Sequence, residues 1–236
     1  MADPRTTFYP EWIAAYGWAE ALGLGTTLLL GRAAAPALER DPGPGGIVLG
    51  ALAAVVVGIV LEGLVVGIAQ ARVLRDSLRA VSAARWTRGK MLGAGMAWFL
   101  GMVPSTVVAL VGPVPAGGAE PVAEPSAMVR YGLALALGAL AGPVLGLGQW
   151  LVLRHHVARA GRWIMANALA WALGMVVIFI GMDQVPWARG GVTVVLGVYL
   201  VCGAAGLLVG AVHGWILRDL LRAESSAHAG GSGSGA

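Results

Sequence analysis

The chain reads as an all-α integral membrane protein. Six transmembrane helices form three tandem two-helix hairpin repeats, giving a pseudo-threefold bundle with both termini cytoplasmic. Three observations predict this. Only 12% of the 236 residues are charged, 58% are hydrophobic and the mean hydropathy is +0.77, whereas a soluble domain carries roughly 25% charged residues. Six apolar stretches reach the roughly twenty residues needed to cross a bilayer. One sequence frame recurs in the second, fourth and sixth of them.

Taken in order, the first helix is expected over about 12–31 and the second over about 46–73, with a loop between them that holds Pro36, Pro42 and Pro44. The first is read as a retained helix, because a signal h-region is about 7–15 residues long and this run is longer and contains Glu20. A basic loop with Arg75, Arg79, Arg85, Arg88 and Lys90 leads to a third helix over about 91–111. The stretch from Gly112 to Ser126 then connects to a fourth helix over about 128–153. A loop with His155, His156, Arg159 and Arg162 precedes a fifth over about 163–182, and a sixth follows over about 192–217. Residues 1–224 form a single domain, and 225–236 are a flexible Gly/Ser tail. Strands are not expected, since no alternating ten-residue segments of the barrel type occur.

The basic residues set the orientation. Arg5, Arg72, Arg75, Arg79, Arg85, Arg88, Lys90, Arg154, Arg159, Arg162, Arg218 and Arg222 fall on one side, and only Arg32, Arg40, Arg130 and Arg189 on the other. The positive side stays cytoplasmic, which implies a multi-pass protein of the inner (plasma) membrane. Topology accounts for these charges, so no nucleic-acid partner is implied. Trp12, Trp86, Trp163 and Trp187 fall at the predicted interfaces, where aromatic belts sit. Lys90, the only lysine, is expected in the loop, so that no lysine lies mid-helix and a retinal-type Schiff base is excluded. Cys202 is read as a small packing residue.

The repeated frame is G-x-x-x-G-x-x-[QH]-x-x-x-L-R. It holds Gly63, Gly67, Gln70 and Leu74-Arg75; then Gly142, Gly146, Gln149 and Leu153-Arg154; then Gly206, Gly210, His213 and Leu217-Arg218. Glycines four apart share a helix face and let backbones approach. The even helices are therefore expected to pack through their glycine faces, with Gln70, Gln149 and His213 at one depth, converging on the axis. The odd helices match more loosely, through Ala97-Trp98 to Gly101-Met102 and Ala170-Trp171 to Gly174-Met175, with Trp18 as a weaker counterpart.

Glu62-Gly63, Gly67, Gln70 and Val73-Leu74-Arg75, followed by Leu100-Gly101-Met102-Val103-Pro104-Ser105-Thr106, resemble a group of uncharacterised bacterial multi-pass membrane proteins. These carry E-G-x-x-x-G-x-x-Q-W-x-V-L-R and L-G-x-x-P-S-T stretches. Ala71 stands where that group has tryptophan. The resemblance implies a fold and a topology and no activity.

Glu62 and Glu20 are the sharpest candidates for chemistry. An ionised carboxylate at mid-bilayer costs about 2.5 kcal/mol or more, so such residues face a cavity or a partner; a hydroxyl partner such as Thr26, Thr106 or Tyr16 is the bland alternative. Gln70, Gln149 and His213 form either a polar ring or interhelical hydrogen bonds. Asn167 reads as a packing contact, Asp183 and Gln184 as an outer cap or vestibule, and Pro104-Ser105-Thr106 as a kink with a hydroxyl meeting a freed carbonyl. No metal-ligand cluster, P-loop or nucleophile elbow occurs, which disfavours an enzyme.

The sequence thus points to a small transporter or channel-like protein with an intramembrane carboxylate as its proton or cation site. The other reading is a structural or accessory subunit of a larger membrane complex, binding a lipid, carotenoid, haem or quinone. The bilayer is the partner in either case, and a homo-oligomer or a larger complex is compatible with both.

Overall fold

The computed structural model describes residues 4–40, 43–78, 80–111 and 125–231, and all the regular structure among them is helical. The elements are α1 (Pro4–Arg40), α2 (Pro44–Gly58), a π-helical segment (Ile59–Leu64), α3 (Val65–Ser77), α4 (Ala83–Val111), α5 (Ala127–Leu153), α6 (Arg162–Gln184), a 3-10 turn (Trp187–Arg189) and α7 (Gly191–Gly231). α2, the π segment and α3 run together as one span. Six helices are therefore long and apolar enough to cross a membrane: Thr7–Ala37, Pro44–Arg75, Ala83–Val111, Ala127–Leu153, Arg162–Gln184 and Gly191–Arg222.

Helix ends differ from the sequence expectation in a consistent way. α1 begins at Pro4 and continues past Gly31 through Pro36 to Arg40, α4 begins at Ala83 instead of residue 91, and α7 runs beyond Leu217 into the stretch read as tail. Hydropathy marks where apolar sequence stops, whereas a helix continues for as long as Ala, Arg and Leu favour it. Most of the 112–126 connection and residues 232–236 lie outside the described residues. Between α6 and α7 the chain turns through two left-handed residues, Gly190 (φ 64°) and Gly191 (φ 57°), a region that glycine enters without steric cost.

Each span packs against its sequence neighbours, and α7 closes back on α1, so the six spans form a ring. Neighbours are antiparallel. Gly214 meets Trp12 and Tyr9 while Gly25 meets Tyr199; Gly67 meets Thr87 while Gly58 meets Trp98. Both described ends of the chain therefore lie at one end of the ring.

The glycine pairs of the repeated frame do not face one another. A Cβ at Gly63 would come within 2.9 Å of Met91 Cα, and one at Gly67 within 3.0 Å of Thr87 Cα, both on α4. Gly142 meets the Asn167 carbonyl and Gly146 the Asn167 side chain, on α6. Gly206 meets Glu20 and Gly210 meets Tyr16, on α1. Each even span thus presents its pair to the next odd span around the ring, which corrects the expectation of even-on-even packing. The spacing identifies a helix face but carries no information about which partner covers it.

The ring is polar inside and apolar outside. Leu49, Leu92, Val108, Leu140 and Leu200 are each more than three-fifths exposed. Glu20, Glu62, Gln70, Lys90, Gln149, Asn167 and His213 are all buried. Such a surface suits hydrocarbon as solvent, where backbone groups must be satisfied within helices and ionisable side chains turn inward.

Candidate functional site

Three odd spans supply the inner wall, each through a face of residues four apart. On α1 these are Trp12, Tyr16 and Glu20; on α4, Trp86, Lys90 and Ala94; on α6, Trp163, Asn167 and Trp171. Spacing of four keeps side chains on one helix face, and all nine residues are buried. Two layers matter.

The first layer, nearer the chain termini, is aromatic. The rings of Trp12, Trp86 and Trp163 meet pairwise with centroids 6.4 Å (Trp12–Trp86), 6.3 Å (Trp12–Trp163) and 5.8 Å (Trp86–Trp163) apart. Edge and tilted contacts at these separations are the favoured aromatic geometries. Around this triangle, Trp86 donates its indole N–H to Gln70 Oε1 at 3.1 Å, and Gln149 Nε2 donates to the same oxygen at 2.6 Å. His213 packs on Trp163 (4.9 Å between centroids) and Tyr16 (5.2 Å). Gln70 and Gln149 therefore meet directly, whereas His213 joins the layer through aromatic contact.

The second layer is charged. Lys90 Nζ lies 3.6 Å from Glu62 Oε1 and 3.9 Å from Glu20 Oε1, with all three side chains at most 5% exposed. Three spans thus contribute two acids and one base. The ammonium also stands 5.6 Å from the Trp171 ring and 5.9 Å from the Tyr16 ring, where ring quadrupoles attract a cation. Glu62 Oε2 accepts a 2.7 Å hydrogen bond from Trp98 Nε1. Gly58, one turn before Glu62, seats that indole, since a Cβ there would collide with it. Glu20 makes no hydrogen bond of ordinary length among the described residues, and the Tyr16 hydroxyl is the polar group beside its carboxylate. Gly23 and Gly206 bring its helix close to the neighbours on either side: a Cβ at Gly23 would lie 2.8 Å from the Leu61 carbonyl, and one at Gly206 would lie 2.7 Å from Glu20 Cβ. Glu62 itself sits in the π-helical segment, a wider turn that recurs at functional sites.

The structure thus joins Glu20 and Glu62, as adjacent-helix acids at a shared depth would require, and adds a partner that sequence reading placed elsewhere. Lys90 lies inside α4, so the expectation that no lysine is mid-helix fails, and with it that ground for setting aside a lysine site. Of the hydroxyls expected as partners, Tyr16 lies beside Glu20, whereas the two threonines are engaged elsewhere. Thr26 pairs with Tyr199 at 3.1 Å, and Thr106 lines an apolar groove with Val48 and Phe99. Trp12, Trp86 and Trp163 are fully buried in the ring, correcting their assignment to an interfacial belt; Trp187 is 44% exposed. Trp18, expected as an odd-helix counterpart, is likewise 44% exposed. The pattern that unites the inner wall is Trp-x-x-x followed by Tyr16, Lys90 or Asn167, and it would have drawn Lys90 inward.

The remaining candidates make local contacts. Asn167 donates to the Trp163 carbonyl at 2.8 Å. Asp183 receives Arg130 at 2.9 Å and Tyr131 at 2.9 Å, tying α5 to α6 at the far end of the ring. Ser105 Oγ donates to the Met102 carbonyl at 3.0 Å within a helix that continues through Pro104.

Six apolar spans in a ring with ionisable side chains buried inside define the class: a multi-pass membrane protein. The chain matches no protein-family model, no curated protein and no solved structure.

Proposed function

We propose that this is a small transporter or channel-like protein, and that Glu20, Glu62 and Lys90 are its proton or cation site. One observation carries the reading: two carboxylates and a single ammonium, drawn from three spans, are buried together. Lys90 balances one carboxylate. The second must bind a proton or another cation, because an unpaired charge in a medium of low dielectric is too costly to persist. Glu62 is held by Trp98 and by Lys90 at 3.6 Å, while Glu20, with Lys90 more distant at 3.9 Å, is the natural place for the exchangeable ion.

The tryptophan triangle would close the path at the end that carries the termini. The basic residues at that end support a cytoplasmic location for it under the positive-inside rule. Three hairpins, each giving one tryptophan to the triangle and one glycine pair to the next hairpin, support the reading of a pseudo-threefold repeat related by an axis along the membrane normal. Rocking of one hairpin against the others would part the triangle.

The accessory-subunit reading draws its support from the same triangle, whose three rings pack on one another across the ring. Proteoliposome flux separates the two. The double variant Glu20→Gln, Glu62→Gln should abolish ion movement that the wild type supports; absence of flux in the wild type under proton and alkali-cation gradients favours the accessory role.

A further inference from the structure

On the outside of the ring, the seam between α3 and α4 holds a groove that the charged layer does not use. Its volume is about 450 Å³, within the range of small-molecule sites. Arg72, Arg75 and Arg88 stand along it, Leu64, Ile68 and Met91 make its apolar part, and none of the described residues lining it is a carboxylate. At 1.5 Å per residue, Leu64 lies about 12 Å along the span from Arg72, close to the roughly 15 Å thickness of one hydrocarbon leaflet. Val60, Leu92 and Met96 beside it are 45%, 63% and 45% exposed, so the groove is continuous with the lipid-facing surface.

Its floor is Ala71, buried to 5% exposure. In α5 the residue that follows the corresponding glutamine is Trp150, half-buried, with the Arg154 guanidinium 5.3 Å from its ring. In α3 the glutamine is followed by alanine, and the room an indole takes in α5 is left open beside three guanidiniums.

We propose that this groove binds one anionic glycerophospholipid. Its phosphodiester meets Arg72 and Arg88, the guanidinium fork matching phosphate geometry, and one acyl chain runs along Ile68 and Leu64. Positive charge fits the headgroup, the apolar run fits the chain, and the length fits one leaflet. The site is separate from the ion site, and its occupancy does not depend on transport.

Native mass spectrometry of the full chain, with phosphatidylglycerol or phosphatidylcholine titrated into detergent, tests this. The wild type should hold one phosphatidylglycerol in preference to phosphatidylcholine. Arg72→Gln with Arg88→Gln should weaken that adduct roughly 30-fold. Ala71→Trp should remove it with every arginine in place, while Arg154→Gln keeps it. Millimolar inorganic phosphate should not displace it, since the chain contributes. Equal binding of both lipids by the wild type, retention by Ala71→Trp, loss to inorganic phosphate, or no effect of the paired arginine change would each overturn the proposal.

Discussion

The aromatic and charged layers lie one above the other on the same helix faces, yet they are built differently. In the aromatic layer α1, α4 and α6 each give a tryptophan, and the three centroid distances fall between 5.8 and 6.4 Å. In the charged layer the positions eight residues on are Glu20, Ala94 and Trp171, and the residues just before the glycine pairs of the even spans are Glu62, Ala141 and Ala205. One layer uses the same residue three times at similar separations; the other uses three different residues and places both acids beside Lys90. Packing a ring needs the same shape three times. Placing a charge needs one specific cluster. The layer that departs from equivalence is therefore the one whose chemistry packing does not explain.

This contrast is open to direct attack. The largest effect is expected from Lys90→Met, which leaves two buried carboxylates without their base. Removing one partner of a buried pair costs about 3–5 kcal/mol, read as a loss of thermal stability in detergent. Adding Glu20→Gln and Glu62→Gln to that variant should recover most of the loss, because the layer is then neutral; no recovery would mean that Lys90 acts through packing alone.

Next in size is Gly142→Ala, which drives a Cβ onto the Asn167 carbonyl. Overpacking typically costs about 1–3 kcal/mol. Gly101→Ala and Gly132→Ala, where nothing lies within 4 Å, should leave the melting temperature near wild type. Equal effects at Gly142 and Gly132 would remove the case for close glycine seams. The smallest effect belongs to Gln149→Leu. It loses the bond to Gln70, and interhelical hydrogen bonds in membranes average about 0.6 kcal/mol. A melting shift as large as that of Lys90→Met would make the glutamine pair an equal partner of the charged layer.

Much of the architecture was legible in the sequence. Six apolar runs and a recurring glycine frame indicated the spans and the glycine faces, and the cost of burying Glu20 and Glu62 marked them for a shared site. Hydropathy reports depth along a helix but not the direction a side chain takes around it. An interfacial belt would thus turn Trp12, Trp86 and Trp163 outward, whereas the structure turns them inward. Lys90 follows Arg85 and Arg88, and a charge ends an apolar run, so the sequence alone puts it in a loop. What lets it stay inside is compensation by Glu20 and Glu62, which come from other spans and are remote in sequence. The π segment around Glu62 left no local signal, since a widened turn depends on how neighbouring helices seat it.

The most direct test of the charged layer is proton and alkali-cation flux into proteoliposomes, compared among wild type, Glu62→Gln and Trp12→Phe. If the excess carboxylate of the layer carries the ion, Glu62→Gln, which leaves Lys90 to balance Glu20 alone, falls to the liposome background, while Trp12→Phe, which keeps an aromatic ring in the triangle, stays near the wild-type rate. Flux in Glu62→Gln equal to that of the wild type would contradict the assignment.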